Sequence, residues 1–169
     1  TWRAGEALAA LAAEGIAAIA VGIPCSPTDR LGEYTQYAHP EHGGGRGETY
    51  ARFLTDELRP AVEEVLRIAP GPESTITAGS SLGGVISAYL WQTRPEIYGG
   101  AGLFSTAFWF PGERARTDLA RAAAAPRTGA RGYHDGGGSE GDEGPQVQAS
   151  YVADTERAVR FLREAGLAV

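Results

Sequence analysis

The sequence has no methionine and no lysine, and its 169 residues include one cysteine, Cys25. A single cysteine cannot form a disulfide within the chain, so the cysteine content does not indicate a cellular compartment. The fifteen cations are all arginines and are scattered along a chain whose net charge is −6. Nucleic acids and anionic membrane surfaces are bound by clustered cations, so we expect neither as a partner.

Long hydrophobic runs are also absent. A transmembrane helix needs roughly 20 consecutive apolar residues, whereas the apolar run at 16–23 is only long enough for a strand. The chain begins at Thr1, almost directly in a helical pattern, and we expect its natural N-terminus to lie further upstream. The lack of a signal peptide therefore leaves the localisation unknown, with the cytoplasm and secretion both open.

What the sequence does contain is a G-x-S-x-G motif at Gly79–Gly83. A strand-like stretch precedes the motif, and apolar residues recur after it with helical spacing, at Leu82, Val85, Ile86, Tyr89 and Leu90. This motif between a strand and a helix presents a nucleophilic serine on a sharp turn. We therefore predict Ser81 as a nucleophile and the backbone N–H of Leu82 as an oxyanion donor. A chance turn rich in glycine and serine is the alternative.

Helical and strand patterns alternate along the chain, which predicts one α/β domain over 1–169. The predicted sheet is mostly parallel, with helices on both faces. The polar segment 26–47 is predicted to be a long loop. Helices are predicted at 2–14, at 49–68 with a kink or restart at Pro60, at 113–125 and from about 152 to Gly166. Strands are predicted at 16–23, directly before Ser81, at 100–105 and at 130–135.

A serine nucleophile needs a histidine base and an acid that orients this base. The acidic loop after the strand at 130–135 offers Glu140 as the first candidate acid and Asp142 as the second. A solvated acidic loop is the alternative. We expect no metal site in this loop, because the Asp/Asn spacing and terminal Glu of a calcium loop are absent.

The histidines do not fit the expected order of serine, acid and histidine along the chain. His39, His42 and His134 all precede the candidate acid. His134 is expected on a strand, in a packing or surface position. His39 and His42 lie in the predicted loop, and either one stays open as a substitute base, because geometry rather than chain order decides a triad.

Several segments resemble the putative-esterase group of α/β-hydrolases, which includes esterase D, enterochelin-esterase-like and feruloyl-esterase-like proteins and the mycolyltransferase antigens. The resemblance covers nearly the whole chain. The matching segments are Arg30–Tyr34 (R-x-x-E-Y), Phe53–Pro60 (F-L-x-x-E-L-x-P), Ala78–Gly84 around the nucleophile, Ser105–Trp109 (S-P-x-F-W, with Thr106 where proline is usual) and Tyr133–Gly141 (Y-L-D-x-G-x-x-E-G).

The resemblance implies an α/β-hydrolase domain that is truncated at both ends. The group's N-terminal strands precede the position of Thr1, and its catalytic histidine lies beyond Val169. Glu140 corresponds to the triad acid. The implied activity of the parent protein is hydrolysis of a small-molecule or saccharide-linked carboxylic ester through an acyl-serine, without a cofactor, while the 169-residue chain alone is expected to have very low activity.

Three aromatic residues, Tyr34, Phe108 and Trp109, resemble residues near the group's substrate pocket, with core packing as the alternative. Two other functions stay open. One is an acyltransferase, which shares the acyl-serine, and the other is a non-catalytic binding module with the hydrolase fold. The sequence fixes neither the ester substrate nor the oligomeric state.

Overall fold

The computed structural model describes residues 3–112, 114, 117, 118, 121, 131–136 and 145–164. Its helices are α1 (Ala4–Ala13), α2 (Arg30–Tyr34), α3 (Gly47–Arg52), α4 (Arg59–Val65), α5 (Leu82–Thr93) and α6 (Pro145–Glu164). Its strands are β1 (Ala38–His39), β2 (Gly43–Gly44), β3 (Ile76–Ser80), β4 (Gly100–Phe104) and β5 (Arg131–Asp135). The helix predicted at 113–125 lies largely outside the described residues.

The central sheet has the parallel order β3-β4-β5. Its register sets Ser80, Phe104 and Asp135 side by side, so the carboxyl ends of the strands form one edge. Three predicted strands are thereby confirmed, and the fold is of the α/β-hydrolase type. Chain segments that follow these strands meet at the same edge, which is where open parallel sheets bind ligands.

Helix α5 packs across β3 and β4 and supplies more of the buried apolar side chains than any other described element. The predicted apolar face is confirmed, since Val85, Ile86 and Leu90 are all buried. Trp91, 0% exposed, packs against Leu103 of β4 and against Ala158 of α6. No helix among the described residues is long and apolar enough to cross a membrane.

The predicted irregularity at Pro60 takes the form of widened helical turns. Residues Phe53–Leu58 form π-type turns between α3 and α4, and Pro60 is the second residue of α4. Proline has no N–H to donate to the carbonyl four residues back, so regular α-helical bonding cannot pass through this point. The predicted helix at 49–68 is therefore three joined segments that end at Val65.

The strand predicted at 16–23 is wrong. The segment is extended but pairs with no described strand, and Ile16, Ile19, Val21 and Ile23 are all exposed. A strand needs a partner for its backbone N–H and C=O groups. The described residues supply none for segment 16–23, and the edge strand β3 bonds only to β4.

The segment predicted as a long loop contains α2 and an antiparallel hairpin of β1 and β2. The Asp29 carboxylate accepts a hydrogen bond from the N–H of Gly32 at 3.2 Å and pairs with Arg46. Thr35, 0% exposed, joins the hairpin to α2. Its hydroxyl donates to the carbonyl of Leu31 at 2.8 Å and accepts from the N–H of Gly45 at 3.2 Å.

We predict that Thr35→Val lowers the free energy of unfolding by about 1–2 kcal/mol, because valine keeps the shape of this buried side chain but removes the hydroxyl that donates to the Leu31 carbonyl and accepts from the Gly45 N–H. Urea denaturation measures this change. Thr28→Val is the matched control, since Thr28 is exposed and its loss is expected to cost less than about 0.5 kcal/mol. Equal effects in the two variants would contradict the role of Thr35.

Candidate active site

Ser81 occupies the single residue between β3 and α5. Its backbone has φ 56° and ψ −121°, a left-handed conformation that non-glycine residues rarely adopt. Such strain persists only where the surrounding structure over-determines it, and it is concentrated at functional sites. The sharp turn leaves the serine half-buried at the carboxyl edge of the sheet.

Two glycines allow this turn because β3 and α5 approach closely. A Cβ atom on Gly79 would overlap the carbonyl group of Gly83, and one on Gly84 would overlap the side chain of Thr106. Gly83, the second glycine of the motif, is different. A Cβ there would meet only Tyr34, at 3.9 Å from Cε2, so the backbone does not require glycine at this position.

Hydrogen bonds from the neighbouring strand hold the turn in place. The N–H of Ser81 donates to the carbonyl of Phe104 at 3.0 Å, and the carbonyl of Ser81 accepts from the N–H of Ala107 at 3.2 Å. The Ser81 carbonyl also accepts from Gly84, which begins the bonding of α5. Both the N–H and the carbonyl of Ser81 are thus hydrogen-bonded. The backbone is fixed, and only the side chain can change its orientation.

Leu82 is the first residue of α5, so its N–H has no partner within the helix. The N-terminus of a helix also carries a partial positive charge. This N–H is therefore suited to an oxygen anion next to Ser81. The Leu82 side chain is buried against Ala107 and Phe110, which fixes the residue in place.

Tyr34 and Tyr50 form an aromatic wall beside the turn, with ring centroids 5.5 Å apart. Tyr34 also packs near Leu82 and Phe110. Burial, followed by the nearby Cys25 thiol, raises the pKa of Tyr34, while a hydrogen bond with Tyr50 opposes this rise. Tyr34 is consequently a neutral phenol at physiological pH and can act only as a hydrogen-bond donor or acceptor.

The hairpin carries two histidines to the same region. The rings of His39 and His42 stack at 4.6 Å, and His39 lies 5.2 Å from the ring of Phe110. The Nδ1 atom of His39 accepts the N–H of Glu41 at 3.1 Å. In the described part of the chain, no hydrogen bond joins either ring to the Ser81 hydroxyl, so a role as base stays a prediction.

His134 lies on β5, within the sheet, as the sequence predicts. Neither of its ring nitrogens has a hydrogen-bond partner among the described residues, and its ring is 6.0 Å from that of Phe108. Burial lowers the pKa of His134, and the charge of the neighbouring Asp135 opposes this effect. The half-buried ring of His134 is thus neutral and packs beside Phe108.

The remaining predicted site residues separate into three groups. Phe108 is 1% exposed in the core with Trp91, which is the packing alternative considered for it. Trp109 is 43% exposed and contacts Phe110 edge-on. Glu140 and Asp142 lie outside the described residues. The loop that carries them starts after Asp135, at the same edge as Ser81.

The sequence does not single out Phe110 as a site residue, and it marks Thr106 only as a departure from the proline of the family segment. Phe110 packs against Leu82 and the hairpin histidines, and Thr106 is buried beneath Gly84. Both residues lie within the stretch that follows β4 at the carboxyl edge of the sheet. Within the described ranges, no three His, Cys, Asp or Glu side chains come together in a way that could hold a metal ion.

A comparison with protein-family models gives one decisive match, in which the model described as putative esterase matches residues 1–165. The chain belongs to this family. It is also 29% identical over 154 residues to the uncharacterized protein YbbA of Bacillus subtilis (strain 168), a match that covers 88% of this chain and 60% of YbbA.

Solved structures similar to this esterase-family chain support the fold. The BES protein from Bacillus cereus matches with a TM-score of 0.68 and 13% identity, over 94% of this chain and 62% of that one. The siderophore hydrolase EstA from Aspergillus nidulans matches with a TM-score of 0.54 and 18% identity, over 86% and 56%. The chain therefore spans about three fifths of the length of the relatives it matches.

The two motif glycines of this esterase-family chain are predicted to differ in their tolerance of a methyl group. Gly79→Ala overlaps the backbone of Gly83 and is expected to lower the free energy of unfolding by about 1–3 kcal/mol. Gly83→Ala has room and is expected to be neutral or to stabilise by up to about 1 kcal/mol, because alanine favours helix. Chemical denaturation of both variants measures the difference, and equal destabilisation would contradict the close approach.

Stability is predicted to fall as the pH drops below about 6.5, because the pKa of His134 is lower in the folded than in the unfolded chain. Above that pH the histidine is neutral in both states. Below it, His134 binds a proton in the unfolded chain but stays neutral in the folded chain, which favours unfolding. The urea midpoints of unfolding at pH 7.5 and pH 5.5 test this prediction. We expect His134→Leu to reduce the difference between the two midpoints, and we expect His42→Leu, at an exposed histidine, to leave that difference unchanged. An unchanged slope in His134→Leu would contradict the assignment.

Proposed function

We propose that the parent protein hydrolyses carboxylic esters, with Ser81 as the nucleophile. The observation that carries this proposal is the left-handed backbone of Ser81 at the junction of β3 and α5, in a chain whose family is esterase-like. A strained serine on a strand-to-helix turn is typical of α/β-hydrolase nucleophiles. The siderophore hydrolases among the structural relatives are in keeping with ester chemistry on this fold.

The proposed reaction starts when Ser81 Oγ attacks the ester carbonyl carbon and gives up its proton to a histidine. The negative charge that develops on the carbonyl oxygen accepts a hydrogen bond from the N–H of Leu82. One such donor contributes about 10²–10³-fold to kcat in serine hydrolases. The tetrahedral intermediate expels the alcohol, which takes up the proton, and water then releases the acyl group from Ser81.

The histidine requires an acid that orients its ring. Glu140 is proposed for this role, with Asp142 as the alternative, and the base itself is proposed to lie in the parent protein beyond Val169. The loop after β5 begins two strands away from β3, about 10 Å across the sheet.

A fluorophosphonate that reacts covalently with activated serines tests the proposal on the parent protein. Wild type and Ser80→Ala are expected to be labelled, whereas Ser81→Ala is expected to be silent. Ser80 is the matched control because it is the adjacent serine. A folded parent that is never labelled, or that is labelled equally after Ser81→Ala, would rule out Ser81 as the nucleophile.

Rates of ester turnover in variants of the parent protein and in the 169-residue chain test the proposed acid and the proposed base separately. Glu140→Gln is expected to reduce kcat strongly and Asp142→Asn only slightly, and the reverse order would assign the role to Asp142. The 169-residue chain alone is expected to lose about 10⁶-fold in kcat, as for a serine hydrolase without its histidine. Robust turnover by this chain that His39→Ala or His42→Ala abolishes would instead place the base in the hairpin.

A further inference from the structure

Ser105, the residue directly after β4, has a strained backbone like that of Ser81. Its φ is 41°, and these two serines are the non-glycine residues with positive φ in the described part of the chain. A left-handed conformation is unfavourable for a residue with a Cβ atom, whereas glycine adopts it without this cost. Backbone strain of this kind is concentrated at functional sites. The strain at Ser105 therefore indicates a role for its side chain.

The register of the sheet places Ser105 beside the nucleophile. The last paired residues of β3, β4 and β5 lie side by side, and the residues that follow them are Ser81, Ser105 and Gly136. Because β4 is the middle strand, Ser105 lies between the other two. Neighbouring strands are about 4.8 Å apart. Ser105 is thus about one strand spacing from Ser81 and one from the chain that leaves β5.

Backbone hydrogen bonds on both sides hold this segment. The N–H of Ser105 donates to the carbonyl of Asp135 at 2.6 Å, which joins it to β5. The preceding residue, Phe104, accepts from the N–H of Ser81 at 3.0 Å, and Ala107 donates to the Ser81 carbonyl at 3.2 Å. Bonds to two neighbouring strand ends therefore fix Ser105, which is the condition under which a strained residue persists.

The exposure changes sharply along the same segment. Thr106, Ala107 and Phe108 are each 1% exposed, whereas Ser105 is half-buried. Of these four residues, Ser105 is the one with accessible surface at the carboxyl edge. A half-buried site is partly shielded from water, and this shielding strengthens a hydrogen bond to a charged group.

We propose that Ser105 is a positioning residue for the acid of the triad, an inference that rests on the proposed ester hydrolysis at Ser81. The acid is proposed to follow β5, and the base that it orients must reach Ser81 at the end of β3. The carboxylate therefore crosses the end of β4, where Ser105 lies. The Ser105 hydroxyl donates a hydrogen bond to this carboxylate, which keeps the acid ionised and fixes its orientation toward the base.

Two substitutions in the parent protein separate the hydroxyl from the backbone. Ser105→Ala removes the hydroxyl and keeps the strain, whereas Ser105→Gly removes both. Each is expected to lower kcat about 10–100-fold with a nearly unchanged KM, because the lost hydrogen bond is to a charged group. Ser105→Gly is expected to have a Tm at least as high as that of Ser105→Ala, because glycine relieves the strain.

The pH profile distinguishes positioning of the acid from a structural role. A carboxylate that loses one donor is easier to protonate, and the histidine beside it holds a proton more strongly. The acidic limb of kcat/KM is therefore expected to move to higher pH in both Ser105 variants. Ser80→Ala is the matched control, since Ser80 ends the neighbouring strand β3 without a positive φ. It is expected to keep the wild-type kcat and the wild-type limb.

Rates are taken per Ser81 that a fluorophosphonate labels after prolonged reaction, which removes the effect of unfolded protein. Wild-type turnover that does not depend on Ser81 would overturn the proposed hydrolysis, and the role of Ser105 with it. Ser81-dependent turnover that both Ser105 variants retain, with an unmoved acidic limb, would overturn the role of Ser105 alone. So would a loss that Ser105→Gly restores, or a loss that appears only in the number of labelled sites, because either result assigns the effect to the backbone.

Discussion

The close approach of β3 to α5 is the constraint on which the site depends. The chain reverses within one residue, and only the absence of a side chain at Gly79 allows the first turn of α5 to come against the strand. This geometry forces Ser81 into a left-handed conformation and aligns the N–H of Leu82 with the helix N-terminus. The conformation of Ser81 and the position of the Leu82 N–H are consequently two results of the same close packing.

The neighbours of this turn are arranged to keep it rigid. β4 and the residues after it bond to both the N–H and the carbonyl of Ser81, and Phe110 holds Leu82 from the outside. On the opposite side, Thr35 attaches the hairpin to α2 and so fixes the wall that Tyr34 provides. Because these contacts come from separate parts of the chain, the strain at Ser81 is distributed over many small interactions rather than one strong one.

The sequence predicts well those features that local chemistry determines. Alternating helical and strand patterns, the apolar face of α5 and the position of Ser81 all follow from residues that are close along the chain. Sequence reasoning does less well where the outcome depends on partners that are distant or absent. Segment 16–23 has a strand composition but finds no strand to pair with in the described part of the chain. The polar segment 26–47 is ordered by its own hydrogen bonds, which Asp29 and Thr35 make to the backbone within it.

The same distinction explains Gly83 and Phe110. A motif assigns equal weight to both of its glycines, yet only Gly79 is in steric contact with the backbone of the helix. Phe110 has no motif of its own, and its importance comes from a packing partner, Leu82, that lies far away in sequence. Composition indicates that an aromatic residue will be buried, but the neighbour it contacts is decided by the tertiary fold.

Nucleophile geometry and catalytic competence are physically separable in this fold. The described backbone hydrogen bonds of Ser81 join it to β4, to the residues that follow β4 and to α5, so the turn is held by its immediate neighbours in the sheet and the helix. Activation is different, because a serine hydroxyl becomes a nucleophile only with a base and with an acid that orients this base. A serine in the correct conformation is therefore necessary for ester hydrolysis but gives no reactivity by itself. The proposed mechanism therefore requires the parent domain to place a histidine within hydrogen-bond reach of a serine whose backbone is already fixed.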